Sequence, residues 1–599
     1  MKKTKLSELL LPILFIGIVF SGMFSGPAAH AQQGPRLGGT MVIGRAQAEP
    51  VQLAPWIRGL QGIGVSSNIL SGLVTYDAAY NLKPDLAQSW DISSDRLTWT
   101  FHLVKNATWH DGVPFTSADV SYTFNNLILL DAQGRTFFSA DDFNGVTTPD
   151  NYTAVFNWKH PFLFPLMEMG TWVAAIAPKH LYASTCPTAP CDPDAYRKVD
   201  WNNKPIGTGP FKFQEWVRGD HITLVKNDKY FKKGLPYLDK LVFRFIPDQS
   251  TLFAGLKSGS IDYVPDGVPF ALVDELNKDP AFNPVQIRTT SIGQTLKFFF
   301  NLDVGPTTNV KVRQAISLAI DRQTIVDKVA HDWSKVSKSV FPDTPNMAQY
   351  RSPNVPQPKQ DLAAAEKLLD DAGYKRGSDG VRFTLNKFLI STGEESYNSE
   401  PAALIKDMLK KVGIETTIVA VDESTKYNQL WSARPRGFDI CLARLKAGPD
   451  PYFTVKFFTS PWIIKGFAVN AGYNNSQVDN LYNKIRVSLS TDEQVQLFRQ
   501  VDEILNRDLP ETWIYDVVYP QPRRNTFQGS SFYDIISESG PIEAVWWTQG
   551  TPLTPGSVTT TTTPTTQAPT LPWEWMATLV VVIIVLGGVY LTLTRRKKK

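Results

Sequence analysis

The 599-residue chain carries 61 Lys and Arg against 57 Asp and Glu, and only three Cys. Setting aside the three Lys and one Glu at the N-terminal end, and the five basic residues and one Glu at the C-terminal end, leaves 53 basic against 55 acidic residues. A near-neutral body of this size excludes the basic footprint of a nucleic-acid binder and is too long for one core, so two or more domains are expected.

Residues 1–31 place Lys2, Lys3 and Lys5 before an apolar run and end on Ala29-His30-Ala31, the pattern of a secretory signal peptide. The first half that follows is strand-rich. The stretches 97–104, 152–158, 221–227 and 240–247 alternate apolar and polar residues between Gly, Pro and Asp punctuation. Between the first two lies WHDGVPFTSADV, residues 109–120. His110 and Asp111 invite an acid/base reading, but Asp111-Gly112 is a turn dipeptide, and Thr116 with Asp119 three residues on is a capping box. Strand, turn and helix start is the reading the spacing favours. Cys186 and Cys191 bracket Pro-Thr-Ala-Pro, and outside the cytoplasm a local disulfide outweighs a metal site that would need more ligands. Cys441, in the apolar run FDICLARL, reads as a buried thiol.

The second half is helix-rich. Over 310–329, Val312, Ala315, Ile316, Ala319 and Val326 share one helical face. A helix from Asp361 ends at Gly373, and another ends at Gly413 before the strand 414–421. A second capping box, Ser490 with Glu493, opens a helix leading into a strand near 511. Interleaved helices and strands predict α/β layers, and two such lobes leave a cleft where small ligands bind. Residues 551–572 hold ten Thr and five Pro without charge and read as an extended stalk. The apolar run 576–593, followed by five basic residues, reads as a transmembrane helix with a cytoplasmic tail. A single-pass protein of the cell membrane with its ectodomain outside is the expectation.

Motifs for chemistry are sparse. There is no His-Glu-x-x-His, no Gly-x-Ser-x-Gly elbow and no Walker loop. The Gly-rich pieces at 62–64 and 207–209 lack the rest of a dinucleotide fingerprint. None of the seven His pairs with another at metal-ligand spacing, and Asp141-Asp142 reads as a solvated turn. Aromatic residues make up 12% of the chain. Most belong to cores, and a minority suits a cleft for peptides or sugars. No metal, cofactor or catalytic residue is assigned.

Several stretches resemble one family, the extracytoplasmic solute-binding proteins of the peptide/nickel class (family 5) of ATP-binding-cassette importers. They are PDLAQSWDISSDRLTWTFHLVKNATWHDGVPFTSADVSYTF (84–124), PIGTGPFKFQEW (205–216) with the block that follows it, 300–326, AAEKLLDDAGY (364–374) and DPYFTVKFFTS (450–460), in the family's order. The resemblance implies a type II periplasmic-binding-protein-like α/β fold: two hinged lobes, with an extra domain inserted in the first. The expected division is 1–31 signal peptide; 32–79 with 205–290 and 520–550 as lobe I; 80–204 as the inserted domain; 291–519 as lobe II; 551–572 stalk; 573–594 transmembrane helix; and 595–599 tail. It further implies a monomeric, non-enzymatic subunit that captures a peptide-like or oligosaccharide solute and hands it to a permease. A surface hydrolase and an adhesive surface protein are the alternatives. The resemblance places the position that pairs with a peptide's amino terminus at Ala447. Lys446 or Arg444 would instead favour an anionic or neutral polar ligand. Leu445 does not supply the Trp of nickel-chelate members. The expected ligand contacts are Trp56, Ile63, Trp431, Lys446, Asp450 and Tyr452.

Overall fold

The computed structural model describes residues 35–552 except 48, 51–52, 55–61, 77–81, 128–142, 162–168, 170–173, 188–190, 193–194, 196–197, 283–284, 332, 345, 393–394, 432–435, 447–449, 461–471, 530–541 and 550. The signal segment, most of the stalk, the expected transmembrane helix, the basic tail, Trp56, Ala447 and Asp141-Asp142 lie outside them. Among the described residues no helix is long and apolar enough to cross a membrane.

The chain opens with β1 (Arg36–Leu37) and β2 (Thr40–Arg45). A hairpin, β3 (Val74–Tyr76) and β4 (Leu82–Pro84), leads into β5 (Ala87–Ile92), β6 (Thr98–Leu103), β7 (Phe143–Asp150) and β8 (Thr153–Trp158). These last four form their own sheet in the order β5-β6-β8-β7. Their alternation buries one face: Trp99, Phe101, Leu103, Phe156 and Trp158 join Trp109, Phe115 and Phe124 in a separate core. At about 2 kcal/mol for each buried ring, much of the aromatic surplus is used here. The chain then returns through β9 (Phe211–Val217), β10 (His221–Lys226) and β11 (Lys240–Phe245) to complete a second sheet, β2-β11-β10-β9. Cys186 and Cys191 are disulfide-bonded and buried in its core.

The 15-residue β12 (Gln286–Phe300) passes into a third sheet with β13 (Lys335–Val336), β14 (Phe383–Ser391), β15 (Ile414–Val421), β16 (Ile440–Lys446) and β17 (Glu511–Gln521). The order is β13-β17-β12-β16-β14-β15. Helices Val310–Ala319, Arg322–Val329, Leu362–Asp371 and Glu395–Lys411 cover one face with an apolar core. After β17 the chain goes back to pair β18 (Phe527–Gly529) with β19 (Val545–Trp547), and β20 (Thr551–Pro552) with β1. Thr551 and Pro552, at the start of the Thr/Pro-rich run, are paired with Leu37 and Arg36.

Two local expectations need correction. The single helix expected over 310–329 is two. Ile320 is extended, and Asp321 starts a new helix by accepting the Thr324 N–H at 3.1 Å. The break lets the buried Arg322 guanidinium reach the Trp513 carbonyl at 2.7 Å and the Thr512 hydroxyl at 2.9 Å. At Ser490 only half of the capping box forms. Ser490 Oγ accepts the Glu493 N–H at 3.2 Å, but the Glu493 carboxylate accepts the Ser488 hydroxyl at 2.6 Å.

Candidate functional site

Open α/β sheets bind ligands beyond the carboxyl ends of their strands. β14, β15 and β16 run parallel to one another, and β16 runs antiparallel to β12, which enters from the first lobe. Their carboxyl ends, at Ser391, Val421 and Lys446, therefore point back toward the first lobe. On that side β2 and β11 are parallel, and β2 ends at Arg45. Arg45 is 2% exposed and pairs with Asp266 at 2.8 Å. The strand ends of both sheets thus converge where the chain crosses between lobes.

The crossing itself is the β12/β17 ribbon. Gln286 to Thr289 pair with Gln521 to Val518, and pairing resumes at Gln294 opposite Val517. Gly293, in the unpaired interval, has a φ of +54°. Beyond the ribbon, Gln521 donates to the Pro265 carbonyl at 2.7 Å, and the Val268 N–H reaches Pro520 at 2.9 Å. Phe270 of the first lobe packs on Ala330 and Val518 of the second. A two-stranded connection between two lobes is the geometry of a hinge.

A polar strip lies on this ribbon. The half-buried Arg444 donates to the Tyr519 hydroxyl at 3.0 Å, and that hydroxyl donates to the Gln294 side-chain oxygen. Three adjacent strands supply the three groups, with Arg444 opposite Leu296 and Lys446 opposite Gln294 in register. Residues 225 apart in sequence are joined here. Nothing in the local pattern of either segment announces it, and only the charge of Arg444 was visible beforehand.

The expected contacts distribute as follows. Ile63 begins the short Ile63–Ser66 helix, Trp431 ends the Glu423–Trp431 helix, and Lys446 ends β16. Asp450 is fully buried and caps the Pro451–Lys456 helix through the Phe453 N–H at 2.7 Å. Burial pushes its carboxyl up to about 7, opposed by the Phe453 N–H and the Lys456 charge. Tyr452 stacks on Tyr482 with ring centroids 4.5 Å apart, inside the core of lobe II. In this structure Asp450 is a helix cap and Tyr452 a core ring.

The His-Asp pair of the sequence also resolves into scaffold. His110 Nδ1 accepts the Gly207 N–H at 3.3 Å, and its Nε2 faces the Gly209 carbonyl at 3.0 Å. Burial holds the imidazole down to about 4. The side chain of Asp111 turns away to His180 at 2.8 Å. Gly207 and Gly209 lie so close to the Ile69 backbone that a Cβ would fall 1.8 and 2.6 Å from it, so the 207–209 glycines serve close backbone packing. Cys441 is buried and its thiol is pushed up to about 12, an inert state.

Two α/β lobes joined by a strand ribbon, with strand ends and polar groups gathered at the crossing, define a hinged binding protein for small solutes. The sequence profile of the bacterial extracellular solute-binding proteins, family 5 (middle region), matches residues 81–465, and the chain belongs to that family. It is 26% identical over 537 residues to the oligopeptide-binding protein AppA of Bacillus subtilis, covering 86% of this chain and 94% of that protein. It is 32% identical over 392 residues to a putative ABC transporter peptide-binding protein of Brucella ovis, covering 63% of this chain and 68% of that one. Among solved structures, the periplasmic binding protein DppA of Helicobacter pylori, in complex with the peptide STSA, superposes with a TM-score of 0.72 at 24% identity. The match covers 86% of this chain and 99% of that one. At that identity the likeness shows the fold, which is the type II periplasmic-binding-protein-like α/β arrangement.

Proposed function

We propose that this chain captures a peptide-like solute outside the cell and delivers it to the permease of an ATP-binding-cassette importer, without chemical turnover. The observation that carries this reading is the hinge ribbon with its polar strip, in a chain whose family match spans both lobes. Relatives named for oligopeptide and peptide binding favour a peptide over an oligosaccharide. Trp56, Ile63, Trp431 and Lys446 are proposed as solute contacts, with Asp450 and Tyr452 setting the backbone that follows Lys446. Cationic Arg444 beside the cleft suits a solute with a carboxylate or neutral polar groups facing β16.

Membrane attachment is part of the same reading. Residues 573–594 cross the bilayer, the ectodomain stands outside as a monomer, and the stalk spaces the two. The uncharged Thr/Pro run of 551–572 and the apolar run 576–593 with the basic residues after it support this reading.

Native mass spectrometry on residues 32–553, which keep the β1–β20 pair, taken from cells, then repeated after unfolding, washing and refolding, tests the function. A bound peptide mass that disappears on refolding, and returns with a peptide mixture, is the expected result. A bound sugar would replace the solute class. Catalytic consumption of the added solute, or no binding and no thermal stabilisation across peptide and sugar panels, would overturn the reading.

A further inference from the structure

Three stretches carry the Asn-x-Ser/Thr acceptor pattern: Asn106-Ala107-Thr108, Asn151-Tyr152-Thr153 and Asn474-Asn475-Ser476. In a protein that works outside the cytoplasm, the pattern marks a surface Asn able to carry an N-linked glycan. The fold treats the three amides differently.

Asn151 sits at the tip of the hairpin between β7 and β8, and it is exposed. Its backbone carbonyl accepts the Ser117 N–H at 2.8 Å, and the neighbouring Asp150 carboxylate accepts the Tyr152 N–H at 2.7 Å. The turn is therefore fixed by its backbone and by Asp150. Among the described residues the Asn151 side chain has no hydrogen-bond partner, so its amide nitrogen is presented to solvent by a rigid turn. Asn106 lies at the same end of that sheet: Lys105 Nζ is 5.7 Å from the centre of the Tyr152 ring. Its amide, however, donates to the Phe231 carbonyl at 2.8 Å across 125 residues of sequence. Asn474 accepts the Ser460 hydroxyl at 3.1 Å, and Ser476 is the first residue of the Ser476–Val487 helix, capped by Asn475. That acceptor sequence is wound into a helix start.

We propose that Asn151 is an N-glycosylation site and that Asn106 is not, its amide being held by Phe231. The reaction joins Asn151 Nδ2 to the anomeric carbon of a sugar. The anomeric C–O bond of a lipid-linked oligosaccharide phosphate breaks, the lipid phosphate leaves with the bonding electrons, and the amide gives up one proton. The chain supplies only the acceptor; the donor and transferase belong to the membrane that secretes it. The glycan would stand on the hairpin of the inserted domain, off the hinge strands.

Peptide mass spectrometry on the full chain purified from its own membranes tests this. The expected result is a sugar-bearing mass on the peptide containing Asn151, with sugar fragment ions, and an unmodified Asn106 peptide. Thr153→Ala, which keeps Asn151 but destroys the acceptor pattern, removes the mass, whereas Thr153→Ser retains it. Wild-type protein with an unmodified Asn151 peptide, or a modification that persists in Thr153→Ala, would overturn the assignment. A glycan on Asn106 would overturn the selectivity argued from Phe231.

Discussion

His110 is a neutral ring clamped between two backbone groups, donating to the Gly209 carbonyl and accepting from the Gly207 N–H. Its largest influence is desolvation, which lowers its pKa to about 4 against an ordinary 6.5. The Gly209 carbonyl and Asp111 pull the other way, and Lys212 adds to the lowering. Below pH 6.5 the unfolded chain protonates this residue while the folded chain resists, so the unfolded state binds more protons and stability falls as pH drops toward 4. Across that window the loss is on the order of 3 kcal/mol. Buried Asp502, raised to about 6, and Asp450 act in the opposite sense, losing their contribution as pH rises through their folded values. The contribution of His110 is therefore read as a difference. His110→Gln should be less stable than wild type at pH 7.5, and the gap in urea midpoint should narrow steadily between pH 6.5 and 4. A gap independent of pH would show that the ring is not held neutral. The turn and cap around this residue were legible from Asp111-Gly112 and Thr116/Asp119, and the Asp119 carboxylate does reach back to the Thr116 N–H at 2.9 Å. The glycine clamp was not legible, because its partners lie 97 and 99 residues away.

At the scale of elements, β12 has one position that admits only glycine. Gly293 has a positive φ, and a Cβ there would lie 1.9 Å from Pro342 Cγ, an overlap that flexible neighbours cannot relieve. Gly293→Ala should cost about 3 kcal/mol or more, with disturbed solute binding because the strain falls on the lobe-crossing strand. Gly112→Ala, at φ +92° with open space around it, should cost only about 1 kcal/mol. Equal losses in chemical denaturation would refute the steric account. Alternation found the four strands of the first half: β6, β8 and β11 bury alternate residues, while β10 buries Ile222, Thr223 and Leu224 in succession. Helical periodicity failed at Ile320, where both sides of the break look equally amphipathic. At that break Asp321 caps the second helix, and the Arg322 side chain reaches Thr512 and Trp513, partners on a strand about 190 residues further along the chain.

Across the whole molecule, the discontinuous chain is stitched by a buried ionic cluster. Lys232 Nζ lies 2.9 Å from Asp85 and 3.1 Å from Glu543, and the Tyr230 hydroxyl donates to Glu543. The strand-rich insert, the loop before β11 and the C-terminal return are thereby joined. Removing the cation leaves two buried carboxylates without it, so Lys232→Met should cost about 3–5 kcal/mol in denaturant. A loss under 1 kcal/mol would mean that the cluster is not desolvated. By itself the sequence determined what depends on near neighbours: strand and helix periods, turn and cap chemistry, the Cys186–Cys191 pair and the ordered blocks of a solute-binding family. Tertiary structure alone decided the ribbon of β12 and β17, the Arg444–Tyr519–Gln294 strip, the Asp450 cap buried with its helix, and the pairing of β1 with β20. Each of these joins segments through registry or burial, and a local pattern records how a residue repeats along the chain, not which distant strand will stand beside it.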